Sequence, residues 1–240
     1  MAEALLSATD LNTYLGDSHV LQGITLAVDA GEVVALLGRN GAGKTAALRT
    51  LMGLVTPRQG RVLWRGEDVT HWPAYRRVRA GIAYVPQDRR MFRGLTVEQN
   101  LEVAERPASE AGTGGRAWTR EAVYALFPAL TERRHQLAGR LSGGEQRMLA
   151  IARALVANPA LVLCDEPTDG LAPVVVEQLF SLLGRVAAAG TAILLAEQNV
   201  HFASGLARRG YVIDKGQIRG EGPLAELLKA DADITRHLTV

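Results

Sequence analysis

Short, wholly apolar runs alternate along this chain with longer stretches whose apolar residues recur at helical spacing. Val33–Leu37 (VVALL), 161–164 (LVLC) and 192–196 (AILLA) carry no polar residue, the pattern of strands covered on both faces in a parallel sheet. Each is followed by a helical pattern; after VVALL a glycine-rich turn opens a helix through Leu48 and Leu51. Residues 5–28 and 60–64 alternate more and contain glycine-marked turns, which predicts an antiparallel flank on the parallel core. From about 96 to 158 the pattern is helical, broken at 107–115 (PASEAGTGG) by small residues read as an exposed loop. The expected organisation is one α/β domain over 1–240: a core of 1–86 and 159–240, and an inserted α-helical subdomain at 87–158.

Composition narrows the class. The 240 residues are 48% hydrophobic and 22% charged, an ordinary globular balance with enough chain for a substantial core. Lys and Arg (27) barely exceed Asp and Glu (25), giving a net charge of +2, which argues against a nucleic-acid partner. The arginines at 76, 77, 79, 89, 90 and 93 are therefore read as solvated or subunit-contact surface. The single cysteine, Cys164, sits in an apolar strand and reads as a buried thiol in a reducing compartment. The N-terminus lacks the basic-then-apolar pattern of a signal peptide. No apolar run approaches the ~18 residues of a membrane span, so any work at a membrane requires docking onto something that spans it. The histidines at 19, 135, 201 and 237 show no metal-ligand spacing, and His71 and Trp72, before Pro73, read as a helix entry.

Chemistry enters with GRNGAGKT at 38–45, a phosphate-binding loop in its required place between strand and helix. Gly38, Gly41 and Gly43 let the backbone wrap a phosphate, with N–H groups of 38–46 (Arg39, Asn40, Ala42 and Ala46 among them) facing its oxygens. The following helix adds its positive end. Lys44 supplies a point charge for β- and γ-phosphates, and Thr45 a hydroxyl for Mg²⁺. LVLCDE then ends a buried strand in Asp165 and Glu166. Strand alternation is expected to separate their side chains, leaving Asp165 to hold Mg²⁺ and Glu166 to polarise an attacking water. Ser142, Gly143, Gly144 and Glu145 open a predicted helix over 145–156, a second anion site with Ser142 as cap. One nucleotide needs one phosphate loop, so the second site calls for an explanation.

In these three segments, in this order, the chain resembles the ATP-binding subunits of ABC transporters along nearly its whole length. The resemblance implies a P-loop NTPase core with a helical subdomain, binding ATP and Mg²⁺. It also implies a dimer in which the 142–145 signature of one subunit closes over ATP on the loop of the other. Gln87, in YVPQ, matches the glutamine that reaches Mg²⁺ and senses transmembrane permease subunits; Met91 and Phe92 beside it are candidates for contact with them. The words LLGRNGAGKT, TLMGL, GIAYVPQ, LTVEQNL, LFPAL, MLAIARAL, DEPTDGLAP and LLAEQN are similar to the smaller ATPase of branched-chain amino-acid importers. LGDSHVLQG is similar to the ATPase of urea and short-amide importers, and lipopolysaccharide exporters share the length and architecture. These likenesses imply a cytoplasmic subunit, peripheral on the inner face of the membrane. It would pair with itself or with a second ABC ATPase and act indirectly with a periplasmic or extracellular solute-binding protein.

Three positions depart from the family pattern. Gln198 stands where the catalytic switch histidine is usual and cannot become a cation, which favours a histidine-bearing partner ATPase. Ala46 replaces a hydroxyl residue, a loss of about 1 kcal/mol in nucleotide binding. The adenine-stacking aromatic usual before Gly16 is Leu15 here, leaving Tyr14 as the candidate platform, against the sense of strand alternation.

Overall fold

The structure, a computed structural model, describes residues 4–88, 90–106 and 118–230; the expected 107–115 loop, Arg89 and His237 lie outside the described residues. The chain begins with β1 (Leu6–Leu15), β2 (Ser18–Val28) and β3 (Val33–Leu37), then α1 (Lys44–Leu51), β4 (Gln59–Trp64), β5 (Glu67–Asp68), α2 (Ala74–Arg79) and β6 (Ile82–Val85). Among the described residues four α-helices follow, α3 (Val97–Glu102), α4 (Arg120–Leu126), α5 (Pro128–Glu132) and α6 (Gly143–Leu155), with a 3-10 turn at Ala138–Arg140 before α6. The chain then re-enters the sheet at β7 (Leu161–Asp165) and continues through α7 (Pro173–Ala188), β8 (Ala192–Glu197) and α8 (Val200–Leu206). It closes with β9 (Arg209–Asp214), β10 (Gln217–Pro223) and α9 (Leu224–Ala230).

The wholly apolar runs become the middle of a six-stranded sheet ordered β10-β9-β3-β8-β7-β6, parallel except for β10. The alternating segments form a separate antiparallel sheet ordered β2-β1-β4-β5. Strand pleating explains why the central runs are apolar on both faces. Leu161, Leu163 and Leu194 join the core between the two sheets, while Val162, Cys164, Ile193 and Leu195 join the core under α6, α7 and α8. Because β3, β7 and β8 run the same way, their carboxyl ends meet at one edge, where open α/β sheets place their ligands.

Helix α1 lies between the sheets, with Ala47, Leu48 and Leu51 fully buried. Arg77 closes its far end. Its guanidinium donates to the carbonyls of Thr50 (3.1 Å), Leu51 (2.6 Å), Val69 (2.7 Å), Thr70 (2.9 Å) and Trp72 (3.2 Å). Two of these are at the α1 C-terminus, the negative end of the helix dipole. Gly53 makes the room, since a Cβ there would stand 2.7 Å from Arg77 Nε. Burial lowers the Arg77 pKa to about 10, so it remains a cation at neutral pH. This corrects the reading of Arg77 as surface: Arg76 and Arg79 are exposed and lie over Trp72 and Tyr75, but Arg77 is wholly buried. Leaving those carbonyls without a donor costs about 3 kcal/mol or more. Arg77→Met therefore lowers the unfolding free energy by about that much in urea titration, and a loss under about 0.5 kcal/mol would contradict the assignment.

Candidate nucleotide-binding site

The turn from β3 into α1 depends on glycine at three places. Gly41 and Gly43 have φ of 81° and 112°, and a side chain on Gly38 would collide with the Ile213 carbonyl. Gly43 caps α1 without any side-chain hydrogen bond, which directs the first-turn N–H groups to a ligand. Lys44 is buried in the loop, donating to the carbonyls of Gly38 (2.7 Å) and Arg39 (2.9 Å) and pairing with Glu166 Oε1 at 2.9 Å. Asn40 and Gly41 are exposed at the loop tip.

Asp165, the last residue of β7, is wholly buried. Its carboxylate accepts from Thr45 Oγ1 (3.0 Å) and from the Tyr84 hydroxyl (2.9 Å). Burial raises the Asp165 carboxyl above the usual carboxylate range, and these two hydrogen bonds oppose the rise. Glu166 lies past the strand with φ of 43°. Its direction is therefore set by a left-handed backbone, held by Glu166 N–H to the Ala196 carbonyl at 2.9 Å, and not by the strand pleat expected from the sequence. Gln87 donates to Asp169 Oδ2 at 3.0 Å and reaches Glu166 Oε2 at 3.4 Å.

A cleft of about 490 Å³ lies over the loop, walled by Gly41, Gly43, Lys44, Thr45, Ala46 and Glu166 on one side and by Leu15, His19 and Val20 on the other. It adjoins a cleft of about 650 Å³ that holds Thr45, Gln87, Asp165 and Asp169. Tyr14 lines neither cleft. Its ring stacks on His19 (4.2 Å, 3°) with Arg58 4.0 Å from its centre, while alternation presents Leu15 to the cleft instead. Gln198 lines neither cleft; its N–H donates to Glu197 Oε2 at 3.1 Å.

Ser142 caps α6 in a reciprocal box: Glu145 N–H to Ser142 Oγ (3.3 Å) and Ser142 N–H to Glu145 Oε2 (2.8 Å). Arg133 pairs with Glu145 at 2.8 Å. Ser142, Gly144 and Glu145 line a third cleft beside Val175 and Leu182, sharing no residue with the cleft over the phosphate loop. Within one chain the two anion-type sites are therefore separate. Three participants escaped sequence reasoning. Tyr84 orients Asp165; Arg147, almost wholly buried on α6, grips the carbonyls of Pro86 (2.9 Å) and Gln87 (2.8 Å); Glu197 is the third. The signal available for Glu197 was an acid ending an apolar strand, as at Asp165.

With this geometry the comparisons with known proteins are decisive. The sequence profile of the ABC transporter family matches residues 21–169. The chain belongs to that family. It is the ATP-binding subunit of an ABC transporter, and an ATPase. It is 40% identical to the high-affinity branched-chain amino acid transport ATP-binding protein BraG of Pseudomonas aeruginosa, over 89% of this chain and 91% of that protein. It is 33% identical to the lipopolysaccharide export system ATP-binding protein LptB of Haemophilus influenzae, over 91% and 90%. The crystal structure of the ADP conformation of MJ1267, an ATP-binding cassette of an ABC transporter, matches with TM-score 0.82 at 25% identity over 98% of both chains.

Among the described residues of this ABC subunit, no helix is long and apolar enough to cross a membrane. No group of three His, Cys, Asp or Glu among them could hold a metal ion unaided. Thr45 Oγ1 and the Asp165 carboxylate, 3.0 Å apart, are nevertheless the hard oxygen donors that Mg²⁺ takes alongside phosphate oxygens and water. Cys164 is buried, and burial pushes its thiol up to about 12, the environment of a structural thiol. A carboxyl raised by burial, as Asp165 is, adds stability at low pH that is lost as pH rises through its folded pKa. Asp165→Asn is thus expected to melt higher than the parent at pH 8 in the absence of Mg²⁺, with a difference that shrinks toward pH 4. A lower melting temperature at pH 8 would show that its hydrogen bonds outweigh the cost of burial.

Proposed function

We propose that this ATPase subunit drives uptake of branched-chain, hydrophobic amino acids through transmembrane permease subunits. The observation that carries this reading is the 40% identity to BraG across nine-tenths of both chains. In this reading ATP lies along 38–46, with its phosphates on the loop amides and Lys44. Thr45, Asp165 and Gln87 are the residues that would hold Mg²⁺, which would supply charge to neutralise the phosphates. Glu166 takes the proton of the attacking water. Its 2.9 Å contact with Lys44 is consistent with an exchange in which phosphates draw the ammonium away and the released carboxylate turns to the water. Gln198 lines neither cleft in the single chain, and in this reading its amide reaches the γ-phosphate only once the second subunit has closed the site.

The separation of the Ser142 cleft from the loop cleft supports a dimer in which each signature closes the other subunit's ATP. The second subunit is another copy or a related ABC ATPase. Residues 87–158 then act as the arm that carries the signature, on a core of 1–86 and 159–240. Met91 lines the cleft beside Gln87 and Phe92 is half exposed there, which offers an apolar contact to the permease. The subunit works on the cytoplasmic face, and a solute-binding protein outside delivers the amino acid. A second reading, lipopolysaccharide-type export, is supported by the 33% identity to LptB; a urea or short-amide importer is the third.

Deleting the gene in its native host abolishes uptake of labelled leucine and spares labelled urea; the reverse pattern would replace the solute. For the chemistry, Glu166→Gln is expected to bind ATP, lower phosphate release about 10²- to 10³-fold and elute as a dimer with MgATP. Ordinary turnover in that variant would refute the role of Glu166.

A further inference from the structure

Glu197 is 2% exposed and ends β8, paired in register with Leu37 at the end of the phosphate-loop strand. Its carbonyl accepts the Gly38 N–H at 3.3 Å. Its carboxylate accepts four further hydrogen bonds, two on each oxygen. Oε1 takes the Thr168 N–H (3.0 Å) and the Thr168 hydroxyl (2.7 Å). Oε2 takes the N–H groups of Gln198 (3.1 Å) and Asn199 (3.1 Å).

The two oxygens thus serve two different loops. Thr168 lies two residues beyond Glu166, in a turn closed by Asp169 N–H to the Glu166 carbonyl at 3.2 Å. Asp169 in turn accepts from Gln87. On the other side, Asn199 caps α8 through Phe202 N–H at 3.0 Å. Glu197 is buried and both its carboxylate oxygens are taken by these loops, so it acts through its neighbours. All four partners donate, and only a carboxylate accepts from both sides at once. An amide at this position would accept for one loop and oppose the donors of the other, and aspartate is one methylene shorter. A buried carboxylate is costly unless it is fully hydrogen-bonded, and here the bonds are made to the two segments that carry Glu166 and Gln198.

We propose that Glu197 is a positioning residue for hydrolysis, locking the Gln198 loop to the turn that carries Glu166. Because the Gln198 amide cannot gain charge, its effect on the γ-phosphate depends on aim alone. The proposal rests on the reading of Glu166 and Gln198 given above, and the variants separate the two.

The experiment is steady-state ATP hydrolysis by the purified chain with MgATP, alongside thermal unfolding of each variant. Glu197→Gln is expected to lower kcat about 10- to 100-fold with KM for ATP within about twofold of the parent. Thr168→Val lowers kcat in the same sense and Thr168→Ser restores it, which a purely structural role would not require. Once Gln198→Ala is present, adding Glu197→Gln costs less than it does in the parent, because part of its effect runs through Gln198. A folded Glu197→Gln with parental kcat, or losses that multiply in the double variant, would overturn the proposal. If Glu197→Gln fails to fold, the Thr168 pair decides: parental kcat in Thr168→Val overturns it. Turnover retained in Glu166→Gln would refute the underlying site reading, whereas loss there with multiplying losses refutes only the role of Glu197.

Discussion

Lys44, Asp165, Glu166 and Glu197 are carried almost entirely out of water at the carboxyl ends of three neighbouring parallel strands. Taking charges out of water is expensive unless protein groups replace the solvent. Here they do so one by one: Lys44 has two carbonyls and a carboxylate, Asp165 two hydroxyl donors, and Glu197 four donors. The parallel register makes this possible, since Leu37 lies opposite Glu197 and Asp165 opposite Ala196. Groups distant in sequence therefore reach the same level of the sheet edge. Arg77 repeats the solution at the other end of α1, where five backbone carbonyls accept from the guanidinium.

The Lys44–Glu166 contact gives this edge a resting order. The ammonium that would grip phosphate and the carboxylate that would take a proton neutralise one another at 2.9 Å. In the proposed reading an anionic phosphate would compete with Glu166 for Lys44, which would make binding and activation of the base a single exchange of partners. The left-handed backbone of Glu166 is the local cost of aiming its side chain at that exchange.

What the sequence made legible follows the range of the interactions involved. Apolar runs, strand pleat and glycine in the phosphate loop are local signals, and the parallel core, antiparallel flank and loop were readable from them. Arg77 was not, because a run of arginines in a short amphipathic helix reads as surface; only tertiary packing shows one of them meeting five carbonyls. For Tyr14 and Leu15 strand alternation was legible, and the hairpin pairing of Tyr14 with His19 adds which of the two adjacent residues lines the cleft. The direction of Glu166 depended on a φ that composition does not announce. Glu197 was hidden because its partners, Thr168 and Gln198, are joined only by the meeting of β7 and β8.

The central claim is that the site is finished by a second chain, since the loop and the Ser142 end of α6 occupy separate clefts in one chain. Its most direct test is a disulfide between chains. Asn40→Cys and Ser142→Cys, introduced on separate preparations and mixed, should cross-link between chains with MgATP and not with ADP. Cross-linking indifferent to nucleotide, or none while the mixed preparation hydrolyses ATP, would contradict the account.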